Sequence, residues 1–316
     1  MTTTAEARQV LNVKVRPMIE TDHAEADRVM RMAFGTFLGL PDPMTFGGDG
    51  DYVRSRWTAA PEATLTAEID GQLVGSNFAT QWGSVGFFGP LTVDPPLWDR
   101  GVARSLMDST MEIMDGWGLT HAGLFTFSHS PKHLGLYQRY GFHPRFLTAV
   151  LSAPVTPAAN RSGWSTYDSD PDRSGRLAEC ASLADTIYPG LDVSREVLAC
   201  DKQGLGDTVL LDDSSGFAIC HVGAGSEAGS GACFIKFAAA RTGAVDAFAR
   251  LLDACEAFAA TQGAGRVVAG MSTARRDAYR MLGERGYRAD LIGVAMHRPD
   301  EPGYHRPDAL VVDDWR

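Results

Sequence analysis

The sequence predicts an α/β protein made of two tandem domains, each a mixed sheet flanked by helices. Three observations lead there. The chain has 316 residues, 44% hydrophobic and 22% charged; that is an ordinary globular balance, and at roughly 150 residues per domain the length suits two domains. The stretch FFGPLTVDPPLWDRGVA, from Phe87 to Ala103, reads as strand, turn and helix N-terminus. The second half then repeats the order of the first. AYRMLGERGYRAD echoes LYQRYGFHPRF with Gly286 in the place of Gly141, and the turn Asp213 to Gly216 falls at nearly the same offset from Asp70-Gly71.

Taken in order, residues 1–11 show no periodic pattern, and Val13 to Arg16 alternates as a strand does. Glu20-Thr21-Asp22 offers a helix N-cap ahead of HAEADRVMRMAFGTF, where Ala26, Val29, Met30 and Phe34 share a face. GLPDPMTFGGDGD is a loop by its Gly, Pro and Asp content. Ala63 to Glu68 and Leu73 to Thr80 flank Asp70-Gly71 as a hairpin. Phe87 to Val93 suits a mostly buried strand, stopped by Asp94-Pro95-Pro96 because proline donates no ladder bond. A helix from Arg100 to about Gly116 buries Val102, Leu106, Ile113 and Met114. A strand over Gly123 to Phe127, a helix over Pro131 to Tyr140 and a last strand over Thr148 to Ser152 complete the first domain. The expected division is therefore 1–151, a Pro/Ala/Ser/Gly linker at 152–163, a second domain at 164–298 and a tail at 299–316.

Composition narrows the function. Net charge is -10 and the pI about 5.2, which disfavours nucleic acid and anionic membranes as partners. It is compatible with an amine substrate, and equally with solubility alone. No apolar run reaches about 18 residues, and MTTTAEARQV lacks the basic and apolar regions of a signal peptide, so a cytoplasmic location is expected. Cys180, Cys200, Cys220, Cys233 and Cys255 are odd in number and form no CxxC pair, which predicts free buried thiols and no metal site. A homodimer is compatible with the sequence.

The helix start at Arg100-Gly101-Val102-Ala103 has chemical use. Its first N–H groups lack partners, the helix dipole adds partial positive charge, and small residues admit a ligand, so it can seat a pyrophosphate. A short glycine turn is by itself a weak motif. A second stretch, HAGLFTFSHSPKHLGLYQRYGFHPRF, adds to it: an apolar strand leading to a short helix that ends Leu136-Tyr137-Gln138-Arg139-Tyr140-Gly141-Phe142.

With Trp98-Asp99-Arg100-Gly101-Val102-Ala103 and Leu136 to Phe142 in this order, the chain resembles the GNAT superfamily of acyl-CoA-dependent N-acyltransferases. Trp98 stands where that family carries Gln or Arg, and Ser130 where it often has Asn. The resemblance implies mostly antiparallel mixed sheets, acetyl-CoA as cofactor, and direct acetyl transfer to an amine of a small molecule or peptide. It implies cofactor binding by Leu91, Thr92, Val93, Arg100, Gly101, Val102, Ala103, Arg104, Ser105, Ser130, His133 and Tyr137. A surface ion pair is the plainer use of Arg104. It implies catalysis by Tyr137, as general acid to the departing thiolate, and by the Val93 N–H facing the carbonyl oxygen. The loop after the first helix would lie over the acceptor, with Phe34, Phe37, Met44 and Phe46 as lining; core packing is the commoner fate of such side chains. The general base is not legible: Asp94 suits a cap, His129 or His133 beside the second motif could serve, though coincidence or surface placement is the commoner reason for each of His121, His129, His133 and His143, and a water chain is an alternative. In the second domain the RxxGxA pattern is missing from Ala238 to Ala244, and Leu282, which donates no proton, replaces Tyr137. That copy reads as degenerate. The alternative function is a non-catalytic acyl-CoA-binding or sensing protein on the same fold.

Overall fold

A computed structural model describes residues 11–155 and 162–316. The first half runs β1 (Lys14–Pro17), α1 (His23–Leu38), α2 (Val53–Ala59), β2 (Thr64–Ile69), β3 (Gln72–Trp82), β4 (Val85–Phe88), β5 (Thr92–Val93), α3 (Val102–Asp115), β6 (His121–Phe127), α4 (Pro131–Gln138) and β7 (His143–Pro154). The second half repeats this as β8 (Trp164–Thr166), α5 (Arg173–Ile187), α6 (Ser194–Gln203), β9 (Gly206–Leu211), β10 (Gly216–Gly223), β11 (Gly229–Ala240), α7 (Val245–Thr261), β12 (Arg266–Ser272), α8 (Arg276–Glu284) and β13 (Arg288–Arg298), followed by β14 (Val311–Val312).

Local chemistry accounts for most boundaries. Asp70 and Gly71 both take positive φ, 51° and 78°, the pair a two-residue hairpin turn requires. Asp22 does not cap α1 through its side chain; its carboxylate accepts from Arg16 and from the Ile19 N–H instead. The expected single strand Phe87 to Val93 is broken at Gly89-Pro90-Leu91 into β4 and β5. The expected helix start at Arg100 moves to Val102, because Gly101 at φ 93° is the cap.

All strands join one sheet, in the order β1-β2-β3-β4-β6-β13-β7-β12-β11-β10-β9-β8, with β5 beside β3 and β14 beside β11. It is mixed and mostly antiparallel: only β4–β6 and β11–β12 are parallel. The order is a palindrome of the two copies with one exchange. β13, the last strand of the second copy, lies between β6 and β7, and β7 runs from β13 to β12. The expected division at 152–163 is thus a division of sequence and not of space, since each copy's last strand pairs in the other's territory. β7 also continues to Pro154, past the expected boundary; the middle of the linker, 156–161, lies outside the described residues.

The tail is part of the core. Tyr304, His305, Leu310, Val311, Val312, Asp313 and Trp315 are all buried. Trp315 packs against Gly123, where an added Cβ would meet its ring at 2.0 Å; a side chain at position 123 would evict the indole. The five cysteines are free and buried. Among the described residues no His, Cys, Asp or Glu cluster is arranged to hold a metal, and no helix is long and apolar enough to cross a membrane.

Candidate active site

The site follows from a divergence of strands. β4 and β6 pair in parallel only from Val85–His121 to Phe87–Gly123. Beyond that, β5 stays with β3, pairing Val93 with Gly75 and Thr92 with Ser76, while the rest of β6 follows β13. Among the described residues no ladder joins β5 to β6, so the two strand edges part there. The Asp94 N–H bonds the Val74 carbonyl at 2.9 Å. By antiparallel alternation the Val93 N–H and C=O therefore point away from β3, toward the gap between the two edges. Trp98 takes that carbonyl through its indole N–H at 2.8 Å. Trp98 therefore locks the turn and offers no donor to a phosphate, leaving the Val93 N–H as the free group of the edge.

At the head of α3, the N–H groups of Arg104 and Ser105 already bond the Gly101 carbonyl at 3.0 and 3.2 Å. The expected seat of five amides, Gly101 to Ser105, contracts to Gly101, Val102 and Ala103, whose amides have no acceptor among the described residues. The Val102 side chain is buried with Val93 and Leu106, fixing α3 to the strand whose edge it serves. Arg100 and Arg104 are exposed, and neither has an acidic partner among the described residues; the surface ion pair expected of Arg104 does not form. Lys132, which sequence reasoning missed, sits 5.6 Å over the Trp98 ring and 2.8 Å from Asp99. Its ammonium stands at the same turn, brought there by the first turn of α4.

Tyr137 is buried on α4, 5.7 Å from Phe88 between ring centroids, within the cluster that also holds Leu124, Phe142 and Met111. Its hydroxyl has no protein partner among the described residues. Burial pushes its pKa well above the usual phenol value, so it stays protonated. The simple match of thiol and phenol acidities in water does not apply here: the same desolvation raises the proton affinity of a sulfur anion placed beside it. Tyr140, by contrast, donates to Asp108 at 2.6 Å and to the Arg104 carbonyl, tying the turn after α4 to α3. Ser130 caps α4, accepting from the His133 N–H at 3.4 Å. Leu91 is half-buried in the break, and the Thr92 hydroxyl lies 3.1 Å from that of Ser76.

The opposite wall is aromatic. Phe34 stacks on Phe46 at 4.9 Å, and Phe37 approaches Phe127 at 4.6 Å, His133 at 5.1 Å and His129 at 5.6 Å. Met44 does not join them; it is 41% exposed, on a turn capped by Asp42. From its own side the loop carrying Phe46 is held by Arg31, whose guanidinium donates to the carbonyls of Phe46, Gly48 and Gly50. Burial first, then Lys132 and His129, lowers the His133 pKa, so its imidazole is neutral and able to accept a proton. Asp94 is engaged by Arg28 at 3.2 Å. His121 lies at the far end of β6, bonded to His297 at 2.9 Å, and His143 is exposed.

In the second copy β11 diverges from β12 in the same way after Ile235–Ala269. There the gap is closed by the chain itself: β14 pairs Val311 with Ala239 and Val312 with Ala238. Arg275, fully buried at the N-cap of α8, donates to the Val311 and Asp313 carbonyls and to the Asp313 carboxylate.

Comparison with known proteins agrees with this geometry. A sequence model of the acetyltransferase (GNAT) family matches residues 37–142; no curated protein matches the sequence. Among solved structures, a candidate acetyltransferase of Pyrococcus horikoshii superposes with a TM-score of 0.69 at 14% identity, covering 96% of this chain and 95% of that one. A GCN5-related N-acetyltransferase of Sphaerobacter thermophilus gives 0.60 at 16%, covering 90% and 95%. A tandem GNAT protein of the clavulanic acid biosynthesis pathway gives 0.58 at 12%, covering 90% and 98%. At these identities the structures speak for the fold alone, which this chain shares over its length with a tandem GNAT protein; the family match itself rests on residues 37–142, in the first half.

Proposed function

We propose that the chain is an acetyl-CoA-dependent N-acetyltransferase that acts on an amine of a small molecule or peptide, using the first copy alone. The observation that carries this is the parting of β5 from β6 in the first copy, where a free strand edge at Val93, free amides at Gly101–Ala103 and the buried phenol of Tyr137 all lack a partner among the described residues. The chain's groups fit the cofactor in sign and kind: amides and cations at the α3 turn for pyrophosphate, and a strand edge for an extended amide chain.

Acetyl-CoA supplies the activated acetyl thioester. The Val93 N–H donates to its carbonyl oxygen and stabilises the charge that develops there. Phe34, Phe37, Phe46 and Phe127 hold the acceptor on the other face and exclude water. His133, neutral, takes a proton from the amine as the new C–N bond forms. Tyr137 gives its proton to the sulfur as the C–S bond breaks, and recovers one from solvent. The test is a turnover screen with acetyl-CoA against amines, aminoglycosides and peptides. Acetylation of any class, with one cofactor bound per chain, supports the reading. Tight binding of acetyl-CoA with no acceptor consumed across all classes overturns it in favour of an acyl-CoA-binding protein.

A further inference from the structure

The two copies are bolted together at corresponding points, and each point is the bulge in the strand edge beside the diverging gap. In the first copy Ala79 pairs with Phe88 and Ser76 with Thr92, so Gly89, Pro90 and Leu91 face only Asn77 and Phe78. In the second, Ile219 pairs with Phe237 and Cys220 with Ile235, which makes Lys236 the extra residue. Lys236 donates to both oxygens of Glu227, at 2.8 and 3.0 Å. The same carboxylate receives Nε and Nη2 of Arg56 at 3.0 and 2.8 Å. Arg56 Nη1 then donates to the carbonyl of Gly89. Arg56, Glu227 and Lys236 are each less than 8% exposed.

Stability alone does not call for charges there. A buried ion cluster loses hydration on every member, and apolar residues of similar volume often hold as well or better. What the cluster adds is geometry. The planar fork of Arg56 spans a carboxylate of one copy and a backbone carbonyl of the other. Gly89 opens the three-residue break whose far end is β5. The hairpin that bears Glu227 also grips the acceptor loop: Asp49 accepts from the Ser230 N–H at 2.7 Å, and the Asp51 N–H donates to the Ser226 carbonyl at 3.0 Å. Phe46 of the aromatic wall belongs to that loop.

We propose that Arg56 is a positioning residue for acyl transfer: tethered by Glu227 and Lys236, it fixes the bulge Gly89–Leu91 and so the direction in which the Val93 N–H enters the gap. The degenerate copy then contributes to the reaction through this tether. The proposal rests on reading the first gap as the acetyl-CoA site.

The experiment uses the full chain. Arg56→Lys keeps the charge and loses the fork. It should lower kcat by about ten- to a hundredfold, the cost of small misplacements in an active site, with the acceptor KM unchanged. It should also speed amide hydrogen exchange at Gly89 and from Leu91 to Val93, with no change from Leu124 to Phe127. The double variant Glu227→Gln, Lys236→Met keeps the net charge summed over Arg56, Glu227 and Lys236, leaves Arg56 its main-chain acceptors at Gly89 and Arg316, and should show the same pattern. Wild-type kcat and exchange in both overturns the proposal. So does loss of folding in both, which would make the cluster a requirement of the fold. If the unaltered protein turns over no acceptor, the acetyltransferase reading fails, and the exchange measurement still decides the tether.

Discussion

In the first copy the edge at Val93 parts from β6 and stays uncovered by any strand among the described residues, whereas in the second the matching edge, Ala238–Ala239, is covered by Val311–Val312. The backbone problem is the same in both: a strand edge inside a protein presents donors and acceptors that need partners. The second copy solves it permanently with its own chain, and Arg275 fastens the closing segment. The first leaves it unsolved, and on the proposed function that edge, next to the unpaired amides of α3, is where the cofactor lies. Degeneracy of the second copy is therefore more than the loss of RxxGxA and of a tyrosine. Its ligand place is already taken.

Exchanging the marks of one copy for those of the other gives the sharpest tests. Tyr137→Phe should lower turnover by about 10²–10⁴, the usual worth of one positioned acid, with acetyl-CoA affinity nearly intact by calorimetry. Leu282, its counterpart, is fully buried; Leu282→Ala should cost about 2–5 kcal/mol in denaturant unfolding and leave per-molecule turnover alone. Full turnover by Tyr137→Phe would make that tyrosine a packing residue. Gly101→Asp sets a carboxylate against the phosphates and strains a residue at φ 93°; acetyl-CoA binding should fall by about a hundredfold or more, while Gly243→Asp in the second copy leaves it unchanged. Two equivalents bound per chain would break the comparison outright.

The seam between the copies should respond to acid. His121 on β6, His297 on β13 and His305 in the tail are buried together, with Arg145 and Arg275 near them. Burial above all lowers their pKa values, to about 4 for His121 and about 3 for His297. They are neutral in the fold and would titrate near 6.5 when unfolded. Their stabilising effect is therefore complete above pH 6.5 and is lost as pH falls toward 4, with His121 alone worth on the order of 3 kcal/mol at that limit. Thermal unfolding across pH 4–7 measures it; a His121→Asn variant should flatten the curve. Smallest is Lys132→Ala. Its half-exposed ammonium should add about three- to tenfold to acetyl-CoA affinity at low salt and less at high salt, an effect with no parallel in the second copy.

Much of this site is legible in the sequence because backbone demands leave glycine at fixed places. Gly101 at φ 93° and Gly141 at φ 81° mark the two turns, and Tyr137 is found by counting back from Gly141. Other parts have no local signature. The exchange of β7 and β13 is invisible because an alternating strand looks alike whichever neighbour it pairs with. Val311-Val312 is too short to read as a strand, so its closure of the second gap was beyond reach. Arg31, Arg56 and Lys132 look like any surface cation until the fold brings their carbonyl and carboxylate partners from far along the chain. Trp98 reads as a departure from the family, and only its bond to the Val93 carbonyl explains it.

The crossed last strands have a consequence for how the protein comes into being. β6 waits for a partner that is made some 170 residues later, and β7 for one made more than a hundred residues later. Contacts so distant in sequence are slow to form, because the intervening loop entropy must be lost before they repay it. As the ribosome delivers the chain, the first copy cannot close its sheet until β13 has emerged. Neither half should be obtainable as a working fragment. The chain is a tandem repeat in its element order and a single unit in its strand pairing, so the first copy's sheet is complete only once the last strand of the second has been made.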